Sequence, residues 1–422
     1  MISLLILVAV CGFYAAWNIG ANDVANAVGT SVGSGALTLK QAVLIAAIFE
    51  FSGAFLLGGN VVNTIENRIV QLDSFSNNMS LYIYGMISAL LSTSVWLQVA
   101  SFFGWPVSTT HSIIGAVIGF GLVVGKGAII YWHYVLSIVL SWIISPILGG
   151  IIAFMIFSII RKKVFHNKDP ILAMVKLTPI LSSCIFVTLT GVILIGGFMT
   201  YRLSLLSMCL LLCILGCLAY YIALFFIKRT KNLNKSFSNL EKRIQEKENY
   251  NQEHLFIEKI FAYFQIIIAC FMAFAHGSND VANAIAPVSA VFTSVNKSFD
   301  NKVFFALLLA GGGLGIVIGL ATWGWRVIET VGCKITELNP SRGFSAGFGA
   351  ALTIVLASKL GLPISTTHVI IGAVIGVGFA RGTRAINLNI VKDIFISWIV
   401  TVPAGAILSI FFFFILRAIF GY

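Results

Sequence analysis

Acid, amide and hydroxyl side chains recur in this chain at fixed spacing. Gly20-Ala-Asn-Asp-Val-Ala-Asn-Ala27 returns as Gly277-Ser-Asn-Asp-Val-Ala-Asn-Ala284, and Gly104-Trp-Pro-Val-Ser-Thr-Thr-His111 returns as Gly361-Leu-Pro-Ile-Ser-Thr-Thr-His368. Asp280 stands 257 positions after Asp23, and Ser365 stands 257 after Ser108, so two dissimilar motifs were duplicated together inside one long repeat. In the first motif Asp23 and Asn26, like Asp280 and Asn283, are spaced three apart and share a helix face, while Asn18, Asn22 and Asn26 form a stripe at intervals of four. Their oxygens are hard ligands suited to Na⁺ or to a proton, without the His or Cys that zinc prefers. Asn22, Asp23, Asn26, Asn279, Asp280 and Asn283 are therefore candidate cation-binding residues, with Na⁺ expected at Asp23, Asn26, Asp280 and Asn283. The amides also suit a packing role, because Gly20, Ala25 and Ala27 let helices approach closely.

The second motif has the outline of an anion receptor. Pro106 and Pro363 interrupt apolar sequence, and each is followed by Ser-Thr-Thr and a Gly-rich apolar stretch, the signature of a helix start. The first turn of such a helix offers unpaired N–H groups and a positive dipole end, which bind phosphate or sulfate without Lys or Arg. The hydroxyls of Ser108, Thr109, Thr110, Ser365, Thr366 and Thr367 add donors. Asp23 and Asp280 add acceptors, which a protonated phosphate can use and sulfate cannot. His111 and His368 follow directly and either orient the site or satisfy themselves on backbone carbonyls.

The elements that position these groups must be membrane spans. The chain is 59% hydrophobic and 10% charged, against a soluble norm of roughly 25% charged. Apolar runs of the length that crosses ~30 Å of hydrocarbon lie at about 39–59, 81–103, 134–160, 177–200, 203–227, 303–323, 344–360 and 390–416. Further runs at about 2–17, 113–131, 260–275 and 369–380 lead into or out of the motifs. The count predicts about twelve crossings. The first run lacks a preceding basic residue and leads straight into a motif, so it is expected to belong to the core and not to a cleaved signal.

The charge of +12 is distributed over connections, with Arg161, Lys162, Lys163 and Lys168 in one and Arg229, Lys231, Lys235, Lys242, Arg243 and Lys247 in another. Basic loops face the cytoplasm, which places both termini outside and the loop from Glu66 to Ser80 outside. Seven crossings then precede the second motif pair, an odd number, so the halves are inverted. The expected fold is an all-α polytopic membrane protein with two inverted-topology repeats and broken half-helices at the midplane. Residues 1–160 form the first repeat, 161–259 a linker with two extra spans and a charged cytosolic loop, and 260–422 the second repeat. Cys209, Cys213 and Cys217 lie on one helix face but have no His or carboxylate beside them, so they read as packing residues.

The duplicated G-x-N-D-x-A-N-A and G-x-P-x-S-T-T-H patterns resemble those of the inorganic phosphate transporter (PiT) family over nearly the whole chain. The resemblance implies a phosphate symporter driven by Na⁺ or H⁺, with Asp23, Asn26, Asp280 and Asn283 in the cation and phosphate site and the Ser-Thr-Thr segments contacting phosphate. Glu50 matches the family's acidic residue in the second span. A shift of 257 takes it to Leu307, so Glu50 is read as a single extra cation or proton site, the alternative being an internally paired structural carboxylate.

These readings converge on a secondary transporter importing inorganic phosphate by cation symport with alternating access, Na⁺ being the favoured ion. H⁺-coupled phosphate or metal-phosphate symport and sulfate permeation are the alternatives on the same fold. No GxxxxGK[ST] segment occurs. An enzyme using Ser108 or Ser365 as nucleophile is disfavoured, because one reaction does not need a duplicated, inverted nucleophile. The expected partners are inorganic phosphate, Na⁺ or H⁺, the bilayer and, as a candidate assembly, a second copy in a homodimer. No resident cofactor is expected, and charge divided among loops does not suit nucleic acid. The absence of a targeting extension and the short loops point to a bacterial inner membrane.

Overall fold

The computed structural model describes residues 2–75, 78–195, 204–229, 250–299, 301–329, 338–382 and 388–421. The charged loop expected over 228–259 lies largely outside them, as does Cys333. Among the described residues β pairing is confined to an isolated antiparallel bridge between Val70 and Ile130.

Helices α1 (Ile2–Gly33), α2 (Leu39–Leu57), α3 (Gly59–Asn67), α4 (Met79–Phe103), α5 (Thr109–Gly125) and α6 (Trp132–Ile160) come first. They are followed by α7 (Pro170–Ile195), α8 (Leu205–Arg229) and α9 (Tyr250–Val295). The chain closes with α10 (Lys302–Trp323), α11 (Trp325–Glu329), α12 (Pro340–Lys359), α13 (Thr366–Arg381) and α14 (Leu388–Phe420). Within the described residues, each apolar run read from the sequence overlaps its own helix. Among the described residues nine helices are long and apolar enough to cross a membrane, while Thr109–Gly125 and Thr366–Arg381 are apolar but shorter. The protein is an integral, multi-pass membrane protein.

Local sequence sets the boundaries. Thr38 and Gln41 form a capping box at the start of α2, satisfying two otherwise unpaired backbone donors. Ser108 and Ser365 cap α5 and α13, each hydroxyl accepting from the backbone N–H of the following His at 3.2 Å. The breaks before these caps turn through Gly104 (φ 68°) and Gly361 (φ 67°), a left-handed conformation glycine adopts without penalty. The first motif, by contrast, interrupts nothing. α1 runs unbroken through Gly20–Ala27 and α9 through Gly277–Ala284, so only the Ser-Thr-Thr segments begin new helices.

Two compact units emerge from the packing: Met1–Phe154 with Gln265–Tyr422, and Met155–Phe264. In the second, α7 packs on α8, where Gly216 faces Val187 and Ser183, and Phe165 stacks on His254 at 4.5 Å. Cys209, Cys213 and Cys217 are exposed on α8. In the first unit, helix pairs cross at glycines so closely that backbones touch. A Cβ on Gly20 would strike the Ile316 carbonyl, one on Gly319 the Trp17 carbonyl, one on Gly53 the Phe274 carbonyl and one on Gly277 the Glu50 carbonyl.

These four contacts correct one sequence correspondence. Gly20 and Gly277, like Trp17 and Phe274, differ by 257, but their partners Gly319 and Gly53, like Ile316 and Glu50, differ by 266. Helices α2 and α10 are thus offset by nine residues from the repeat spacing, because α9 runs five residues further past its motif than α1, the connection into α10 is one residue longer and α10 begins three residues further ahead of the crossing. The spatial counterpart of Glu50 is Ile316, not Leu307.

Candidate functional site

The site forms where α1 and α9 meet the first turns of α5 and α13. The Asp23 carboxylate accepts from the Thr109 hydroxyl through Oδ2 and from the Asn26 amide at 3.1 Å through Oδ1. Asp280 accepts from Thr366 at 2.7 Å. The two motifs are therefore bound to each other inside each half. Asn22 donates to Ser101 Oγ at 3.0 Å and to the Trp105 carbonyl at 3.2 Å, and Asn279 repeats this on Ser358 Oγ and the Leu362 carbonyl at the same distances. These amides hold the loop that leads into each Ser-Thr-Thr segment.

The halves also reach across to each other. Asn26 donates to Thr367 Oγ1 at 2.8 Å, and Asn283 to Thr110 Oγ1 at 3.2 Å. Thr110 in turn donates to the Ile364 carbonyl at 2.9 Å, and Thr367 to the Val107 carbonyl at 3.2 Å. Residue i of one half meets j of the other, and their repeat equivalents meet in return. Such reciprocity is the property of a two-fold relationship.

Every predicted site residue is buried: Asn22, Asp23, Asn26, Asn279, Asp280, Asn283, Glu50, Ser108, Thr109, Thr110, Ser365, Thr366 and Thr367. The threonine hydroxyls are committed as donors to carboxylates or carbonyls. Hence, in this arrangement, the groups left to face an anion are the Ser108 and Ser365 hydroxyl protons and the first-turn backbone N–H groups of α5 and α13. Buried oxygens without a hydrogen-bond donor gather on the amide and acid residues: Asn22 Oδ1, Asn279 Oδ1, Asn283 Oδ1 and Asp280 Oδ1. Leaving such an oxygen unmatched costs about 1–3 kcal/mol, and a cation would satisfy several at once.

Asp23, His276 and Asp280 each bring a ligand atom within 4.8 Å of the other two. Two carboxylates at that separation repel by roughly 3 kcal/mol at an effective dielectric of ~20, which favours a cation between them. Glu50 is not isolated, since its Oε1 lies 3.2 Å from His276 Nδ1. Sequence reasoning passed over His276, although it precedes Asp280 by four residues in an apolar span, because its repeat equivalent is Ile19. It also missed Ser101 and Ser358, whose spacing of 257 was available as a signal.

His111 and His368 face each other at 4.3 Å between ring centroids and pack on Trp142 at 3.8 Å and Trp398 at 3.5 Å. They line an apolar cavity of about 540 Å³ with Ile143, Pro146, Ile147 and Phe379. Their backbone N–H groups serve the helix caps, and their rings belong to this aromatic cluster.

The chain is similar to known proteins over nearly its whole length. A profile of the phosphate transporter family fits residues 19–409. A Chlamydia pneumoniae phosphate-permease homologue is 58% identical over 429 residues, covering 100% of both chains. The chloroplastic inorganic phosphate transporter 2-1 of Arabidopsis thaliana is 42% identical over 97% of this chain and 72% of its own length. Among solved structures, the sodium-dependent phosphate transporter superposes with a TM-score of 0.85 at 40% identity, covering 99% of this chain and 100% of that one. With the profile spanning nearly all of its length and both motif pairs assembled into one buried cluster, the chain belongs to the phosphate transporter family.

Proposed function

We propose that this protein imports inorganic phosphate by Na⁺ symport with alternating access, using one anion cradle shared by two inverted repeats, residues 1–160 and 260–422. The observation that carries the reading is the reciprocal cross-linking of the halves through Asn26–Thr367 and Asn283–Thr110. It draws both helix N-termini and both aspartates to one place. The N-termini and the Ser108 and Ser365 hydroxyls donate to phosphate. Na⁺ ions bind the oxygens of Asp23, Asn26, Asp280 and Asn283, with Asn22 and Asn279 supporting them, and neutralise carboxylates that otherwise repel the anion.

Each species thus makes the other's binding favourable. Phosphate without Na⁺ meets two like-charged carboxylates, and Na⁺ without phosphate leaves the helix N-termini uncompensated. That mutual requirement is the physical basis of coupling. Asp23 is placed to accept the proton of a phosphate hydroxyl, which sulfate does not offer. The basic connection at 161–168 faces the cytoplasm of a bacterial inner membrane and both termini face outside.

The deciding experiment is labelled phosphate uptake into proteoliposomes with Na⁺ and pH gradients imposed separately and sulfate as competitor. Accumulation driven by inward Na⁺ and indifferent to sulfate is expected. Accumulation driven by a pH gradient without Na⁺ assigns H⁺ as the coupling ion, and inhibition by equimolar sulfate removes the phosphate selectivity.

A further inference from the structure

Two buried side chains stand outside the duplicated motifs and break the relationship between them. His276 occupies the position Ile19 holds in the first half, and Glu50 occupies the one Ile316 holds in the second. His276 Nδ1 lies 3.2 Å from Glu50 Oε1, and Nε2 lies 2.8 Å from Asp280 Oδ2; His276 and Glu50 are fully buried. Gly277 and Gly53 make the meeting possible, since α9 and α2 touch backbone to backbone there. A buried acid and imidazole have been placed where the other half uses two isoleucines.

Their effect falls on Asp280. Its Oδ2 has two close partners, the His276 ring nitrogen at 2.8 Å in an ion-pair contact and the Thr366 hydroxyl, which donates at 2.7 Å, while its Oδ1 takes no donor. Asp23 is ordered otherwise, by Asn26 at Oδ1 and Thr109 at Oδ2, both from the duplicated motifs. A ligand carboxylate clamped through one oxygen presents the other in a fixed direction, and a ring held by a carboxylate behind it is the usual means of fixing such a clamp.

We infer that His276 is a positioning residue for the second-half cation site. Glu50 holds the ring, the ring holds Asp280 Oδ2, and Oδ1 is thereby aimed at the co-transported cation. The inference rests on the proposed role of Asp280 as a cation ligand. It makes the two cation sites inequivalent: disturbing Glu50 or His276 disorders the Asp280 site and leaves Asp23 with its own donors.

The test uses the full-length protein in proteoliposomes, with initial rates measured against Na⁺ at saturating phosphate and against phosphate at saturating Na⁺. H276I, which copies the first half, and the isosteric E50Q should each raise half-saturating Na⁺ about tenfold, the scale expected for an outer partner of a metal ligand. The phosphate KM at saturating Na⁺ should move by less than about threefold, as for loss of an interaction with the cation alone. E50Q/H276I should be no worse than H276I, and H276Q, which keeps an N–H toward Asp280, should recover part of the loss. Normal Na⁺ activation in E50Q, additive defects in the double variant, or Na⁺ and phosphate constants rising together would overturn the proposal. If H276I fails to fold, E50Q carries the test by itself. Failure of the underlying reading is distinguishable: D280N with unchanged Na⁺ activation removes the cation from Asp280, and the positioning role with it.

Discussion

Asn26 on α1 donates its side-chain amide to Thr367 Oγ1, 341 residues away, at 2.8 Å, and the same amide donates to Asp23 Oδ1 at 3.1 Å. One side chain thus ties a first-half carboxylate to the second-half anion segment. Its equivalent Asn283 reaches Thr110 at 3.2 Å, and Asp280 Oδ1 is left without a donor.

Asn26→Ala should therefore destabilise the protein more than Asn283→Ala. The first change leaves a buried carboxylate oxygen unmatched, costing about 1–3 kcal/mol, whereas the second breaks one hydroxyl contact worth about 1 kcal/mol. Thermal unfolding in detergent without Na⁺ measures the difference, and the reverse order would contradict the assigned network.

Asp23→Asn and Asp280→Asn should each abolish Na⁺-driven uptake. Both carboxylates contribute to a cluster whose ligand atoms lie within 4.8 Å, so each substitution also relieves like-charge repulsion. In Na⁺-free buffer the variants should melt at or above the wild-type temperature, while stabilisation by added Na⁺, a linkage effect, should shrink in each. Undiminished Na⁺ stabilisation in both would place the cation elsewhere.

Ser108→Ala and Ser365→Ala remove caps that accept from His111 and His368 at 3.2 Å. Each should cost about 1 kcal/mol of stability and weaken phosphate binding by about 1–3 kcal/mol where a charge-assisted hydrogen bond is lost. Because the two hydroxyls share one anion, the double variant should depart from additivity. Equilibrium binding decides it: strict additivity, or two phosphates per chain, favours separate sites.

Gly20→Ala drives a methyl group into the Ile316 backbone, where neither helix can yield, while a methyl on Gly311 meets nothing within 4 Å. The first should lose about 1–3 kcal/mol to overpacking, and the second should be neutral or gain up to about 1 kcal/mol of helix propensity. Equal melting temperatures for the two variants would refute the backbone contact.

In a cysteine-free background, a single cysteine at Lys163 should react with an impermeant thiol reagent only from the cytoplasmic side, and one at Asp73 only from outside. Labelling of both from the same side would undo the odd crossing count and the inversion with it.

Local sequence was enough to read the solvent, the duplication and the kind of ligand atoms on offer. Long apolar runs imply helices in lipid because a spanning backbone must satisfy its own hydrogen bonds. An acid with amides on one helix face, and Ser-Thr-Thr after proline, imply oxygen ligands and a helix N-terminus whatever surrounds them. These are local properties, carried by Asp23, Asn26, Ser108 and their copies, and they were legible without a structure.

Tertiary packing decided what those groups face. Thr109 and Thr110 are neighbours of one type, yet one donates to Asp23 and the other crosses to Ile364, a division set by the helix opposite each hydroxyl. The nine-residue offset of α2 against α10 cannot be read from a repeat that is constant at both flanking motifs, and it replaced Leu307 with Ile316 as the counterpart of Glu50. His276 was hidden for the same reason. Comparing the two halves detects what was kept in both, whereas the His276–Glu50 contact exists in one half alone and forms only where Gly53 and Gly277 let two helix backbones touch.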